Sequence, residues 1–319
     1  MSRVPAALTD LLADVELAAF VKASRSTTEQ WARELGALAM RTAQRSRVAA
    51  RPPGPAMADA HDLTVTRGVP ARLYRPSTRP QPLLVFLHGG MWTIGDLESH
   101  DRACRRLALG AGVGVLAVDY RRAPEHPWPA AVDDVVQVIR WAAVDRPELP
   151  GATGPLVVAG DSAGGNLAAL ACLRLRGEGG PLPDAQVLVY PNTDLTLSQP
   201  SVSEKGTGWG LSADDVAWGA EQWVPDVAQR ASPTVSPLHA TDLTGLPPAL
   251  VITAEHDPLR DEGETYAARL AAAGVPTIHR REPRMIHGFL TMDTVSPAAA
   301  AAGDRLFADI ARMLRDMWA

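Results

Sequence analysis

Cysteine is scarce in this chain of 319 residues, which carries only Cys104 and Cys172. Both fall in helical patterns, without the spacing of a cysteine metal site. That argues against a disulfide framework and against a bound metal, and for two buried free thiols. A dominant charge is also missing. Lys+Arg total 31 against Asp+Glu 36, a formal net charge of -5, so no positive field gathers phosphate backbones or anionic lipid. Nucleic acid and membrane surfaces are disfavoured as partners, and a small molecule becomes the default. Long apolar runs are absent as well, since no stretch approaches the ~18 residues of a membrane span. Residues 1–20 are Ala-rich, but Asp10, Asp14 and Glu16 interrupt any apolar core of an export signal, so a cytoplasmic location is expected.

What the chain does have is a change of pattern near residue 61. Before it lie two helical stretches, the first with Leu8, Leu11, Leu12 and Val15 on one face and the second with Trp31, Leu35 and Leu38 on another. Thr27 and Gln30 have capping-box spacing at the second start, and Arg51-Pro52-Pro53-Gly54-Pro55 reads as a linker. The basic residues Arg41, Arg45, Arg47 and Arg51 sit at a helix end, where cations complement the dipole, and are read as a solvated face. Residues 1–60 are thus a helical segment with its linker, preceding a core over 61–319.

In the core, short apolar runs alternate with helical stretches: 63–66, 71–74, 83–87, 113–118, 156–159, 187–190, 250–253 and 277–279 against 98–110, 129–144, 163–176, 258–273 and 297–318. Continuous rather than alternating hydrophobicity in the middle runs implies burial on both faces, hence an α/β fold with a mostly parallel eight-stranded sheet flanked by helices. The stretch 195–246 is too long for a turn and holds its own helix after Ser212, with Asp215 completing the cap; it reads as a lid.

Gly160-Asp161-Ser162-Ala163-Gly164 follows one apolar run and opens a helix, the context in which a serine is held on a sharp strand-to-helix turn. Such a serine needs a base, a carboxylate that orients the base, and N–H donors where an oxyanion develops. Asp257, after the run 248–254, and His287, in Met285-Ile286-His287-Gly288-Phe289, follow Ser162 in the order this fold requires. His61, His126, His239 and His279 lack any accompanying signal. Asp261 and Glu262 compete with Asp257 but occupy a helix first turn, where the dipole accounts for a carboxylate. Asp161 competes less well, because adjacent residues on a tight turn diverge, and it is assigned to turn chemistry. The N–H of Ala163 lies beside the serine, and His88-Gly89-Gly90-Met91-Trp92 stands where lipases and esterases carry the second donor loop.

The motifs now resemble one family. His88-Gly89-Gly90, Asp119-Tyr120-Arg121 with Ala123-Pro124-Glu125-His126-Pro127, Gly160-Asp161-Ser162-Ala163-Gly164-Gly165-Asn166, Asp257-Pro258-Leu259-Arg260-Asp261-Glu262-Gly263 and His287-Gly288-Phe289 occur in the order of the hormone-sensitive-lipase-like branch of the α/β-hydrolases, over about residues 61–316. The resemblance implies nucleophile Ser162, acid Asp257, base His287 and oxyanion donors from Gly89, Gly90, Met91 and Ala163. It further implies a helical cap built from the N-terminal helices with the 195–246 insertion, and no metal or organic cofactor. The expected activity is hydrolysis of carboxylic esters of small to medium size through an acyl-enzyme. An amide deacetylase or an acyl-transferring or cyclising enzyme uses the same triad and stays open, and a binding protein on the same scaffold is a third reading. Trp92 and Trp209 are candidate substrate contacts, Trp209 because its glycine-rich setting suggests a mobile element near the pocket mouth. Met91 departs from the family, which has glycine there; its side chain either narrows the acyl site or fills a gap in the core. A homodimer is left open.

Overall fold

The apolar runs become the strands of one sheet. The computed structural model of the protein describes residues 8–25, 31–144, 149 and 152–318. Among them the strands are β1 Asp59–Val65, β2 Val69–Arg75, β3 Gln81–Leu87, β4 Gly114–Val118, β5 Ala152–Asp161, β6 Ala185–Val189, β7 Ala249–His256 and β8 Thr277–Ile286. The helices are α1 Leu8–Leu11, α2 Val15–Arg25, α3 Trp31–Ala49, α4 Leu97–Ala111, α5 Ala130–Val144, α6 Ala163–Gly177, α7 Pro200–Lys205, α8 Ala213–Trp223, α9 Arg260–Ala272 and α10 Pro297–Trp318. The sheet order is β1-β2-β4-β3-β5-β6-β7-β8, with β2 antiparallel to both neighbours and every other pair parallel.

Burial on both faces explains the continuous hydrophobicity of the middle strands. In β3, Leu83, Val85 and Leu87 enter a core formed with α5, α6 and α9, while Leu84 and Phe86 enter a second core formed with α4 and α10. Because β3, β5, β6, β7 and β8 run parallel, the residues after each emerge at one edge of the sheet. That edge receives His88, Ser162, Tyr190, Asp257 and His287 together, and it is where sites of open α/β sheets collect. Cys104 and Cys172 are buried free thiols. Among the described residues no helix is long and apolar enough to cross a membrane.

The N-terminal helices depart from the sequence expectation. The face through Leu8, Leu11, Leu12 and Val15 is broken, because Asp14 starts a new helix by accepting the Leu17 N–H at 2.8 Å. Its other oxygen accepts the Ala298 N–H at 2.8 Å, so this segment docks on α10; Leu12 is buried and Val15 exposed. In α3 the face through Leu35 and Leu38 is also wrong. Both are exposed, Leu38 by 78%, whereas Ala32 and Met40 are buried. The reason is Gly36, at φ 71° and ψ 166°, which breaks the helical phase that the pattern was counted through. Thr27 and Gln30 lie outside the described residues.

Arg41 is not on a solvated face either. Its guanidinium donates to the Thr93 and Ala123 carbonyls at 2.7 and 2.8 Å and makes a bidentate pair with Glu125, so the middle of α3 is tied to the loops after β3 and β4. Gln44 accepts the Gly95 N–H at 2.9 Å beside it. Across α3 lies α8, capped by Ser212 as expected, with Asp215 accepting the Ala32 N–H at 3.2 Å and Arg33 paired with Asp214 and Glu221. Helices α3 and α8 and the loop 88–95 therefore share one small apolar cluster, Ala32, Met40, Ile94 and Trp218, flanked by Ala37 and Met91.

Candidate active site

Ser162 occupies the single step between β5 and α6, at φ 56° and ψ -120°. A non-glycine residue there carries strain of order 1–3 kcal/mol, which persists only where the surroundings over-determine it. The surroundings do. The Ser162 N–H donates to the Val189 carbonyl at 2.9 Å. A Cβ on Gly160 would overlap the Gly164 carbonyl, one on Gly164 would overlap the Leu87 carbonyl at the end of β3, and one on Gly165 would come within 2.9 Å of Pro191 Cβ. Three glycines thus let α6 start against the sheet, with the serine held at the apex.

The structure brings the two expected partners to this serine. Asp257, fully buried after β7, accepts the Leu259 N–H on Oδ1 at 2.8 Å and lies 2.8 Å through Oδ2 from His287 Nδ1. His287 Nε2 lies 2.9 Å from Ser162 Oγ. Gly288, at φ 81°, turns the chain after β8, and the Tyr190 ring packs 4.6 Å from the His287 ring. The competitors lie elsewhere. Asp261 pairs with Arg260 and accepts the Ser201 N–H, joining α9 to α7. His61 pairs with Asp59, His239 with Asp194, and His279 with Thr253.

The loop after β3 needs one correction. The Gly89 N–H is not free for an oxyanion, because it donates to Asp161 Oδ1 at 2.8 Å. Gly90, Met91 and Trp92 follow at φ 128°, 53° and 56°, and the turn closes with the Thr93 and Ile94 N–H groups on the Gly90 carbonyl at 3.0 and 2.8 Å. Among the described residues, the N–H groups of Gly90, Met91 and Ala163 have no protein acceptor. Asp161 was misread as turn chemistry; it ends β5 with its carboxylate buried, and this loop is its partner. Adjacent side chains do diverge from the turn, which is why its own reaches the neighbouring loop.

Met91 takes the left-handed conformation, at the position where the resemblance leads to glycine being expected, and its side chain packs on the cluster shared by α3 and α8. A Cβ on Gly219 of α8 would come within 2.6 Å of Met91 Cβ. Met91→Gly is therefore expected to relieve roughly 1 kcal/mol of backbone strain, lose more in packing, and lower the melting temperature by about 2–4 °C. Relative rates along a series of acyl esters should stay unchanged; a gain for bulky acyl groups would place the side chain in the acyl space instead. The two tryptophans are also packed. Trp92 is buried and stacked on Trp223 at 4.4 Å, and Trp209 is stacked on His256 at 4.2 Å with the Lys205 ammonium 5.1 Å from its ring. His256 in turn contacts the Leu11 carbonyl at 2.9 Å, so Trp209 sits in a fixed stack beside Asp257.

With this geometry in place, a family model for the alpha/beta hydrolase fold matches residues 84–291. The chain belongs to the α/β-hydrolase family. Within it, the chain falls in the hormone-sensitive-lipase-like branch that its motifs resemble. Carboxylic ester hydrolase LipN of Mycobacterium tuberculosis (strain ATCC 25618 / H37Rv) is 44% identical to this α/β-hydrolase over 265 residues, covering 80% of this chain and 70% of the relative. Carboxylesterase NlhH of the same strain is 43% identical over 251 residues, 77% and 79% of the two chains. The crystal structure of a thermostable esterase from Pseudomonas putida ECU1011 superposes with a TM-score of 0.90 at 31% identity, over 98% of this chain and 99% of that one.

Glu262 has a place in this α/β-hydrolase that the helix dipole does not explain. Fully buried, it accepts the Thr193 and Asp194 N–H groups on Oε1 at 2.6 and 3.2 Å, while Oε2 has no partner among the described residues. Burial pushes its carboxyl well above the usual value, against the two N–H bonds and with the nearby Asp194 and Asp257 adding to the rise. A carboxyl whose folded value exceeds its unfolded one keeps its proton in the folded state, so its contribution is complete below the unfolded value and declines as pH rises toward the folded one. Glu262→Gln, neutral throughout, should gain stability relative to the parent between pH 5 and pH 8 in urea unfolding. A constant difference across that range would show that Glu262 folds ionised.

Proposed function

We propose that this α/β-hydrolase cleaves carboxylic esters of small to medium size through an acyl-enzyme, with Ser162 as nucleophile, His287 as base and Asp257 as the acid that orients it. It is an ester-hydrolysing enzyme of its family, and its relatives named above are themselves called ester hydrolases and esterases. The observation that carries the residue assignment is the unbroken line Asp257–His287–Ser162, at 2.8 and 2.9 Å. His287 takes the Ser162 proton as Oγ attacks the ester carbonyl. Asp257 fixes the imidazole with Nε2 toward the serine and stabilises the imidazolium that forms. The oxyanion meets the N–H groups of Met91, Gly90 and Ala163, which have no other acceptor among the described residues. His287 then returns the proton to the leaving alcohol, and a water repeats the sequence on the acyl-enzyme. Helices α3 and α8 are the cap of this reading, held on the donor loop by Arg41, Met91 and Trp218.

The test is labelling with a fluorophosphonate followed by p-nitrophenyl esters of graded acyl length and matched N-acetyl anilides. The expected result is labelling that Ser162→Ala abolishes, and turnover of short esters ahead of anilides. Folded protein that stays unlabelled and inert toward esters would overturn the assignment, and faster anilide turnover would favour amide deacylation.

A further inference from the structure

Asp161 precedes the serine in the chain, yet its carboxylate faces away from it, into a buried polar cluster behind the donor loop. Oδ1 accepts the Gly89 N–H at 2.8 Å and lies 3.3 Å from His100 Nε2 on α4; Oδ2 lies 3.4 Å from the Tyr190 hydroxyl. His100 is held in turn by Ser99 Oγ, 2.9 Å from Nδ1, inside the capping box that Asp96 and Ser99 form at the start of α4. Both side chains are almost wholly buried, at 6% and 7% exposure, so each would be costly to keep without the other. Burial alone would raise the Asp161 carboxyl, but the charge and hydrogen bond of His100 with the Gly89 N–H bring it below the ordinary value, so it is ionised. Burial and the adjacent His100 push His88 down to about 3, so this neighbour stays neutral, with Nδ1 on the Gly89 carbonyl at 3.0 Å.

We propose that Asp161 and His100 are a positioning pair for catalysis, fixing Gly89 so that the next two N–H groups of the loop converge on the Ser162 acyl site. One carboxylate thereby ties the strand that carries the serine to the loop that completes its oxyanion site. The inference rests on the ester-hydrolysis reading above, in which Gly90 and Met91 are donors. By it, Gly89 is the anchor of the loop and not a donor.

The test compares Asp161→Ala, Asp161→Asn and His100→Ala with the parent, using kcat per titratable serine, KM, and the affinity of a trifluoromethyl ketone whose serine adduct places an oxyanion in the same site. Asp161→Ala should lower kcat on the order of 10²-fold, the scale of a lost oxyanion donor, with KM within about threefold. Ketone affinity should fall in step with kcat/KM. Asp161→Asn keeps an acceptor for Gly89 and should recover part of the loss, about tenfold below the parent, a rescue that a purely structural role does not predict. If Asp161→Ala does not fold, Asp161→Asn and His100→Ala carry the test. Native kcat and ketone affinity in both would overturn the proposal, as would an Asn variant no better than Ala. Failure of the hydrolysis reading is separate: the parent would then show no Ser162-dependent turnover at all.

Discussion

Asp257→Asn loses kcat by about 10⁴-fold while the protein stays folded, because an amide at this position fixes the wrong tautomer of His287. The Leu259 N–H donates to one oxygen of Asp257 at 2.8 Å. An asparagine must keep its carbonyl on that donor, which turns its NH₂ toward His287 Nδ1. The imidazole then carries its proton on Nε2, 2.9 Å from Ser162 Oγ, and cannot take the serine proton. Ser162→Ala and His287→Ala should each cost a similar factor or more, and combining them should add little, since the three act as a unit. Melting temperatures of the serine variant should stay within about 2 °C of the parent, as no packed volume is lost. Activity measured against titrated protein decides the matter. Near-native turnover in Asp257→Asn, with loss in Asp261→Asn, would move the acid to α9.

The line Asp257–His287–Ser162 was legible in the sequence because each residue ends a run whose strand character is local: β5, β7 and β8 read as apolar stretches, and a parallel sheet delivers all their ends to one edge. The helices of the core were legible for the same reason, their faces being uninterrupted. What could not be read depends on contacts between distant segments or on a change of helical phase. Gly36 rephases α3, so a face counted through Leu35 and Leu38 was carried to the solvent side. Arg41 looked like a helix-end cation until Thr93, Ala123 and Glu125 came into reach. Asp161 was dismissed because its neighbour on the turn is the serine. Its partners, Gly89 and His100, lie on another loop and another helix that no local pattern brings to it. The only sequence signal for them was chemical: a histidine in a helix pattern that otherwise buries apolar residues.

Gly164→Ala should combine the largest stability loss of any small substitution in the site with loss of turnover. A Cβ there would overlap the carbonyl of Leu87, a backbone atom at the end of β3 that cannot swing aside, and would stand 2.8 Å from the His88 carbonyl. To make room, the start of α6 must move off β3, breaking a contact buried on both sides; for a clash with backbone the cost lies at the upper end of overpacking, ~3 kcal/mol or more. That corresponds to a melting temperature lower by roughly 5 °C in a chain of this length. The same displacement separates Ser162 and Ala163 on the elbow from Gly90 and Met91 on the loop that leaves β3. Turnover should therefore fall by more than tenfold even where the variant is fully folded, an effect of about 1.4 kcal/mol or more on the barrier. Gly177→Ala, at the far end of the same helix α6, is the control: among the described residues nothing lies within 4 Å of a Cβ there, and the substitution should leave both stability and kcat close to the parent. Thermal melts and kcat per titratable serine for the two variants decide it. Equal behaviour would mean that the close approach of α6 to β3 does not set the geometry of the site.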